Sequence, residues 1–176
     1  MRRRGRSIFL HLLWLGCVPS SSVVGVPTKG GRTHLQISLR EILKERFLLG
    51  AALNRAQIAG LDPAALEIVS RHFSAISPEN VLKWDVVHPE PDRFEFAAAD
   101  QYVALGAKLR LFVVGHVLVW HEQTPSWVFE AVPGATLNPE LALARLRAHI
   151  RTVVGHYRGR VQAWDVVNEA FEDDGT

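Results

Sequence analysis

Lys108 to His121 reads KLRLFVVGHVLVWH, and from Leu111 it stays apolar until His116. A run that is apolar at both odd and even positions cannot lie on a sheet with one wet face. It needs cover on both sides, which parallel sheets flanked by helices provide. Three other segments carry a similar signature: FLLGAAL (Phe47 to Leu53), ENVLKW (Glu79 to Trp84) and VQAWDVV (Val161 to Val167). Helical patterns separate them, so the chain predicts strand then helix three times, followed by a last strand. That alternation is the mark of an α/β fold with a parallel sheet. A doubly wound sheet and a barrel both satisfy it. The segment FLLGAALNRA lacks the GxGxxG phosphate loop of a dinucleotide fold, which weakens the doubly wound option. No repeat of about 20 to 50 residues supports a solenoid.

The helices announce their starts. In LDPAALEIVSRHFSAI, Asp62 can cap and Pro63 suits the first helical position, with Leu66, Val69, Phe73 and Ile76 as the apolar stripe. FAAADQYVALGA predicts a second helix with Gly106 near its stop. In NPELALARLRAHIRTVVGHYRG, Asn138 caps, Pro139 opens and Gly159 closes, with Leu143, Leu146, Ile150, Val153 or Val154, and Tyr157 as the buried stripe.

Polar residues gather where the predicted strands run out. Glu79, Asn80 and Lys83 lie in and around the second, His116, Trp120, His121 and Gln123 follow the third, and Asn168 and Glu169 follow the fourth. Parallel α/β folds put the carboxyl ends of their strands on one face, and sites form there. Trp84, Trp120, Trp127 and Trp164 fall in or near the same segments. Indole faces beside carboxylates, amides and an ammonium suit a sugar ring, with its C–H faces and hydroxyl rim. The same residues have plainer readings: core indoles, a core His116, an i,i+4 ion pair between Glu79 and Lys83, and a surface or capping Glu169.

Other chemistries fit less well. The four arginines before Ser7 account for the formal charge of +2, since the rest of the chain then carries −2, so the basic excess is no folded nucleic-acid face. MRRRGR followed by SIFLHLLWLGCV and small residues has the order of a secretory signal, and the apolar run is too short to span a bilayer. We therefore expect a signal over residues 1–25, a linker over 26–38 and a secreted, extracellular product that meets no membrane once the signal is removed. Cys17 alone allows neither an internal disulfide nor a thiolate zinc site. His116, His121 and Glu122 break the zinc-protease spacing, His149 and His156 lack a third ligand, and no GxSxG elbow occurs. Neither a metal nor another cofactor is expected.

Three segments in order, SPENVLKWDVVHPEPDRFEFAAAD, GHVLVWHEQTPSWV and VQAWDVVNEAFEDDG, resemble the family 10 glycoside hydrolases, the retaining endo-1,4-β-xylanases. The likeness covers roughly residues 45–176. It implies a TIM (β/α)8 barrel acting on xylan or xylo-oligosaccharides, with about the first four β/α units lying in residues 39–176. It implies that Glu169 is the general acid/base and that Asn168 holds the sugar 2-hydroxyl. Glu79, Asn80, Lys83, His116, Trp120 and Gln123 would bind the substrate, with His121 and Trp84 supporting them. Bottom-up chemistry agrees that such an acid needs burial or a negative neighbour to stay protonated near neutrality.

A retaining glycosidase also needs a second carboxylate roughly 5 to 5.5 Å from the first. The family places it on strand seven, and Glu172, Asp173 and Asp174 stand too near Glu169 in sequence to oppose it. Barrels of this kind run to about 250 residues. The expectation is a fragment that lacks the C-terminal half of its barrel, the nucleophile included. The alternatives are an inactive carbohydrate-binding remnant, another retaining β-1,4-glycanase, and a half-barrel that folds by dimerising.

Overall fold

A computed structural model describes residues 37–131, 135, 137–171 and 175. The expected signal, nearly all of the linker, Cys17 and the Glu172 to Asp174 cluster lie outside them. Four strands form one sheet: β1 (Gly50–Leu53), β2 (Ala75–Pro78), β3 (Phe112–Val119) and β4 (Ala163–Val167). Among the described residues six α-helices accompany them: α1 (Leu39–Leu43), α2 (Arg55–Ile58), α3 (Pro63–His72), α4 (Trp84–Val87), α5 (Ala97–Leu109) and α6 (Pro139–His156). The strand order is β1-β2-β3-β4 and every pairing is parallel. A doubly wound sheet reverses its strand order; a sheet that always grows in the same direction is winding a barrel.

The helix starts follow the sequence. Asp62 Oδ1 accepts from the Ala65 N–H ahead of α3, and Asn138 Oδ1 accepts from Leu141 ahead of α6. A proline in each first turn loses no hydrogen bond there. Asn54 and Gln57 form a capping box on the short α2. The helix α5 runs past Gly106 and stops where Arg110 turns left-handed, at φ 55°. Gly106 is no stop signal; it is a buried contact, since a Cβ there would collide with Val113 Cγ2 on β3.

Helix α5 also ties two strands together. The buried Tyr102 hydroxyl sits 2.8 Å from the carbonyl oxygens of both Ile76 on β2 and Val114 on β3. It has one proton, so it donates to one at a time. Burial pushes this phenol up, well clear of ionisation. Around it pack Leu53, Ile76, Val113, Val103 and Leu118.

Two elements differ from expectation. The second strand is Ala75–Pro78, four fully buried residues, and Glu79 to Lys83 form the turn that leaves it. Val81, Leu82 and Trp84 are buried as predicted, but by a loop and α4 folding over the strand end. Helix α3 accordingly ends at His72, and Ile76 belongs to β2 instead of the helical stripe. On α6, His149 and Val153 are buried and Tyr157 caps the buried end, whereas Leu143 is exposed. Among the described residues no helix is long and apolar enough to cross a membrane.

Candidate active site

The register between β3 and β4 builds the centre of the site. Gly115 lies opposite Trp164 and His116 opposite Asp165, and the pairing shifts before Val119 meets Val167. The close approach depends on Gly115, because any Cβ there would fall within 2.6 Å of three indole atoms of Trp164. His116 is buried, and its Nδ1 lies 2.9 Å from Asp165 Oδ2. Its Nε2 lies 3.0 Å from Lys83 Nζ. An ammonium offers only protons, so Nε2 accepts and the imidazole proton stays on Nδ1, facing the carboxylate.

Lys83 comes from the turn after β2, where it immediately precedes α4. Its Nζ stands 3.8 Å from the centre of the Trp120 ring, a cation over an aromatic face. Burial pulls the ammonium below its usual range, against the opposing pull of Glu169, Asp85, Glu122 and Asp165. The edge of the same indole reaches the other way: Trp120 Nε1 donates to Glu169 Oε2 at 2.8 Å. His121 Nε2 stands 3.9 Å from that oxygen and is largely exposed. A chain of contacts thus runs Asp165, His116, Lys83, Trp120, Glu169, across three strand ends.

Gln123 extends the rim. Its side-chain amide donates to Asn80 Oδ1 at 3.2 Å, and its backbone carbonyl accepts from the Asp85 N–H at 3.0 Å, which pins the loop after β3 onto α4. Gln123 and Glu169 both hold left-handed backbone, at φ 47° and 51°. Neither is glycine, so both positions are strained, a state that clusters at functional sites. Asn168 is fixed through its backbone, whose N–H donates to Val119 at 3.0 Å. Glu79 is placed at the rim by its N–H to Leu53 at 2.9 Å, with an exposed side chain. A shallow cavity of about 260 Å³ is lined by Val119, Trp120, His121, Phe129, Val167, Asn168 and Glu169.

Of the residues named from sequence, Lys83, His116, Trp120, Glu169 and His121 therefore meet, and Asn80 meets Gln123. Trp84 does not reach this group; it is buried one layer below, stacked on His149. The Glu169 side chain is 43% exposed. Trp120 meets Glu169 through its N–H edge and does not bury the carboxylate. Asp165 and Phe129 were missed. Asp165 was legible: a charge inside an apolar strand needs a partner.

The assembled groups suit a pyranose ring with hydroxyls on its rim. Among the described residues no cluster of three or more His, Cys, Asp or Glu could hold a metal. The model for glycosyl hydrolase family 10 matches residues 38–176. A β-1,4-xylanase of Dictyoglomus thermophilum is 44% identical over 137 residues, 78% of this chain and 36% of that protein. Among solved structures, a GH10 endoxylanase from a sugarcane soil metagenome superposes with a TM-score of 0.74 at 41% identity, covering 79% of this chain and 41% of its own. Xylanase 10B from Thermotoga petrophila, solved with xylobiose, gives 0.73 at 40% identity, covering 81% and 43%. The chain thus spans about two fifths of the length of these relatives.

Proposed function

The chain belongs to glycosyl hydrolase family 10, and from that premise we propose that it carries the acid/base half of a retaining endo-1,4-β-xylanase. The observation that carries the proposal is the Trp120 indole, which meets the Lys83 ammonium on its face and the Glu169 carboxylate at its edge. A xylose unit laid along this rim would find Asn80, Lys83, His116 and Gln123 as hydroxyl partners, with Glu79 beside them. Glu169 would protonate the departing glycosidic oxygen and then take a proton from the attacking water, while Asn168 holds the 2-hydroxyl. His121 would support the Glu169 carboxylate. Trp84 supports from beneath, as packing.

Retention needs a second carboxylate roughly 5 to 5.5 Å from Glu169 on the other side of the sugar. Among the described carboxylates near Glu169, Asp165 is engaged by His116 and does not take that role. The chain by itself is therefore expected to bind xylo-oligosaccharide without turning it over. We further propose that residues 1–25 direct secretion, which sequencing of the mature N-terminus would decide.

The test joins this chain to the part of the Dictyoglomus xylanase beyond its matched residues. The fusion should release reducing ends from xylan. Glu169→Gln should slow this by roughly 10²- to 10⁴-fold, the worth of a positioned acid/base. An aryl xyloside whose leaving group needs no protonation should lose far less in the first step. Unchanged turnover of xylan by the variant would remove Glu169 from the mechanism.

A further inference from the structure

One layer below the rim lies a second cluster that the proposed reaction does not use. Trp84 directly follows Lys83, and His149 of α6 stacks on it with ring centres 3.7 Å apart and planes 8° from parallel. His88, which caps the end of α4, lies parallel to His149 with Nδ1 facing Nδ1 at 3.3 Å. Phe94 stacks on His88 at 3.8 Å, and Trp127 meets it edge-on at 4.8 Å. His149 is fully buried and His88 is 3% exposed. The cluster joins α4, the loop 88–96, the short 3-10 helix Ser126–Val128 and α6.

Proton positions follow from the partners. His88 Nε2 faces the Pro91 carbonyl at 3.1 Å, which can only accept, so that nitrogen carries a hydrogen. In a neutral ring its Nδ1 is then a bare lone pair. The 3.3 Å contact then places the hydrogen on His149 Nδ1. The gap therefore holds one proton, and two would set N–H against N–H. Several groups facing the pair favour a cation, but less than burial disfavours one. The loop contributes the Pro91 carbonyl and the Asp92 carboxylate, which acts on His88 alone, and β3 contributes the Leu118 carbonyl. From α6, Arg145 brings a positive charge over the Trp127 ring. Trp127 spends its own N–H on Pro89.

We propose that His88 and His149 form an acid-released latch, which clasps the 88–96 loop and α6 to the segment bearing Lys83 while it holds a single shared proton and opens when it takes a second. Burial supports this by depressing both rings, His149 to about 3 with His88 beside it adding to the effect. The sign follows: in the open form both rings titrate near 6.5, so closure is fully favoured above that pH and is lost as pH falls toward 3. From His149 alone, the opening equilibrium should rise roughly 100-fold between pH 7.5 and 4.5.

Hydrogen exchange of the non-proline amides of residues 88–96 in the full chain, corrected for intrinsic exchange, reads this equilibrium. His149→Asn keeps an amide N–H where Nδ1 stood but cannot titrate. We expect the wild-type rise of roughly 100-fold to shrink to about a tenth of that or less in the variant. A wild-type rise below about threefold, or a variant that tracks the wild type, would overturn the latch. If the variant does not fold, NMR titration of the wild-type imidazoles decides it. An ordinary, single titration of His149 near 6.5 rejects the proposal, and resistance to protonation until the loop opens supports it.

Discussion

Gly115→Ala tests how tightly β3 and β4 are laid together. The new Cβ would stand within 2.6 Å of Cε3, Cζ3 and Cδ2 of Trp164. Non-bonded carbons rest at about 3.5 to 4.0 Å, so the ring or the strand must retreat by about 1 Å. A rigid indole cannot bend away, and Tyr157 stands behind it with ring centres 6.2 Å apart. Overpacking of this kind costs about 1 to 3 kcal/mol, and replacing a strand glycine returns up to about 1 of that through backbone entropy. A net loss of about 2 kcal/mol is expected, roughly a 30-fold fall in the ratio of folded to unfolded chain. Urea unfolding of the single variants and of Gly115→Ala with Trp164→Ala closes a double-mutant cycle. With the indole gone, the alanine should cost nearly nothing. The same cost in both backgrounds, within about 0.5 kcal/mol, would show that the ring is not what excludes a side chain at Gly115.

Tyr102→Phe should destabilise the chain by about 1 to 2 kcal/mol in the same urea assay, because it removes the one donor shared by the Ile76 and Val114 carbonyls. Asp165→Asn removes the charge that holds the His116 proton on Nδ1; calorimetry should show xylotriose binding about tenfold weaker. Asn138→Ala should cost about 1 kcal/mol through the lost cap on α6, seen as a shift of the urea midpoint with an unchanged slope.

The strand β3 was legible because it is largely buried and long enough to show it, and β4 because its apolar run persists although its end is exposed. The capped helices α3 and α6 were legible because Asp62-Pro63 and Asn138-Pro139 each state a start. The strand β2 was not, since Ala-Ile-Ser-Pro has too little apolar bulk to outweigh the neighbouring Val81, Leu82 and Trp84. Those three are buried through a turn, a burial that no two- or four-residue period reports. Barrel against doubly wound sheet stayed open in the periodicity, since both share the same alternation; the strand order decides it. At the site, the ends of β2, β3 and β4 bring together Lys83, His116, Trp120 and Glu169. The pairings His116 with Asp165 and His88 with His149 depend on strand register and on the contact of α6 with the residue after α4, and neither is written in local pattern.

The left-handed backbone at Glu169 sets selection against conformational preference. Glycine would relax that residue by about 1 kcal/mol or more, and asparagine or aspartate would sit there more comfortably than glutamate does. Random drift at this codon thus runs downhill in folding energy toward residues too short, or with no group at all, to reach the indole edge of Trp120. A screen for thermal robustness alone would reward such replacements and discard the longer acid, so any breeding of this scaffold for heat tolerance has to score chemistry at the same time.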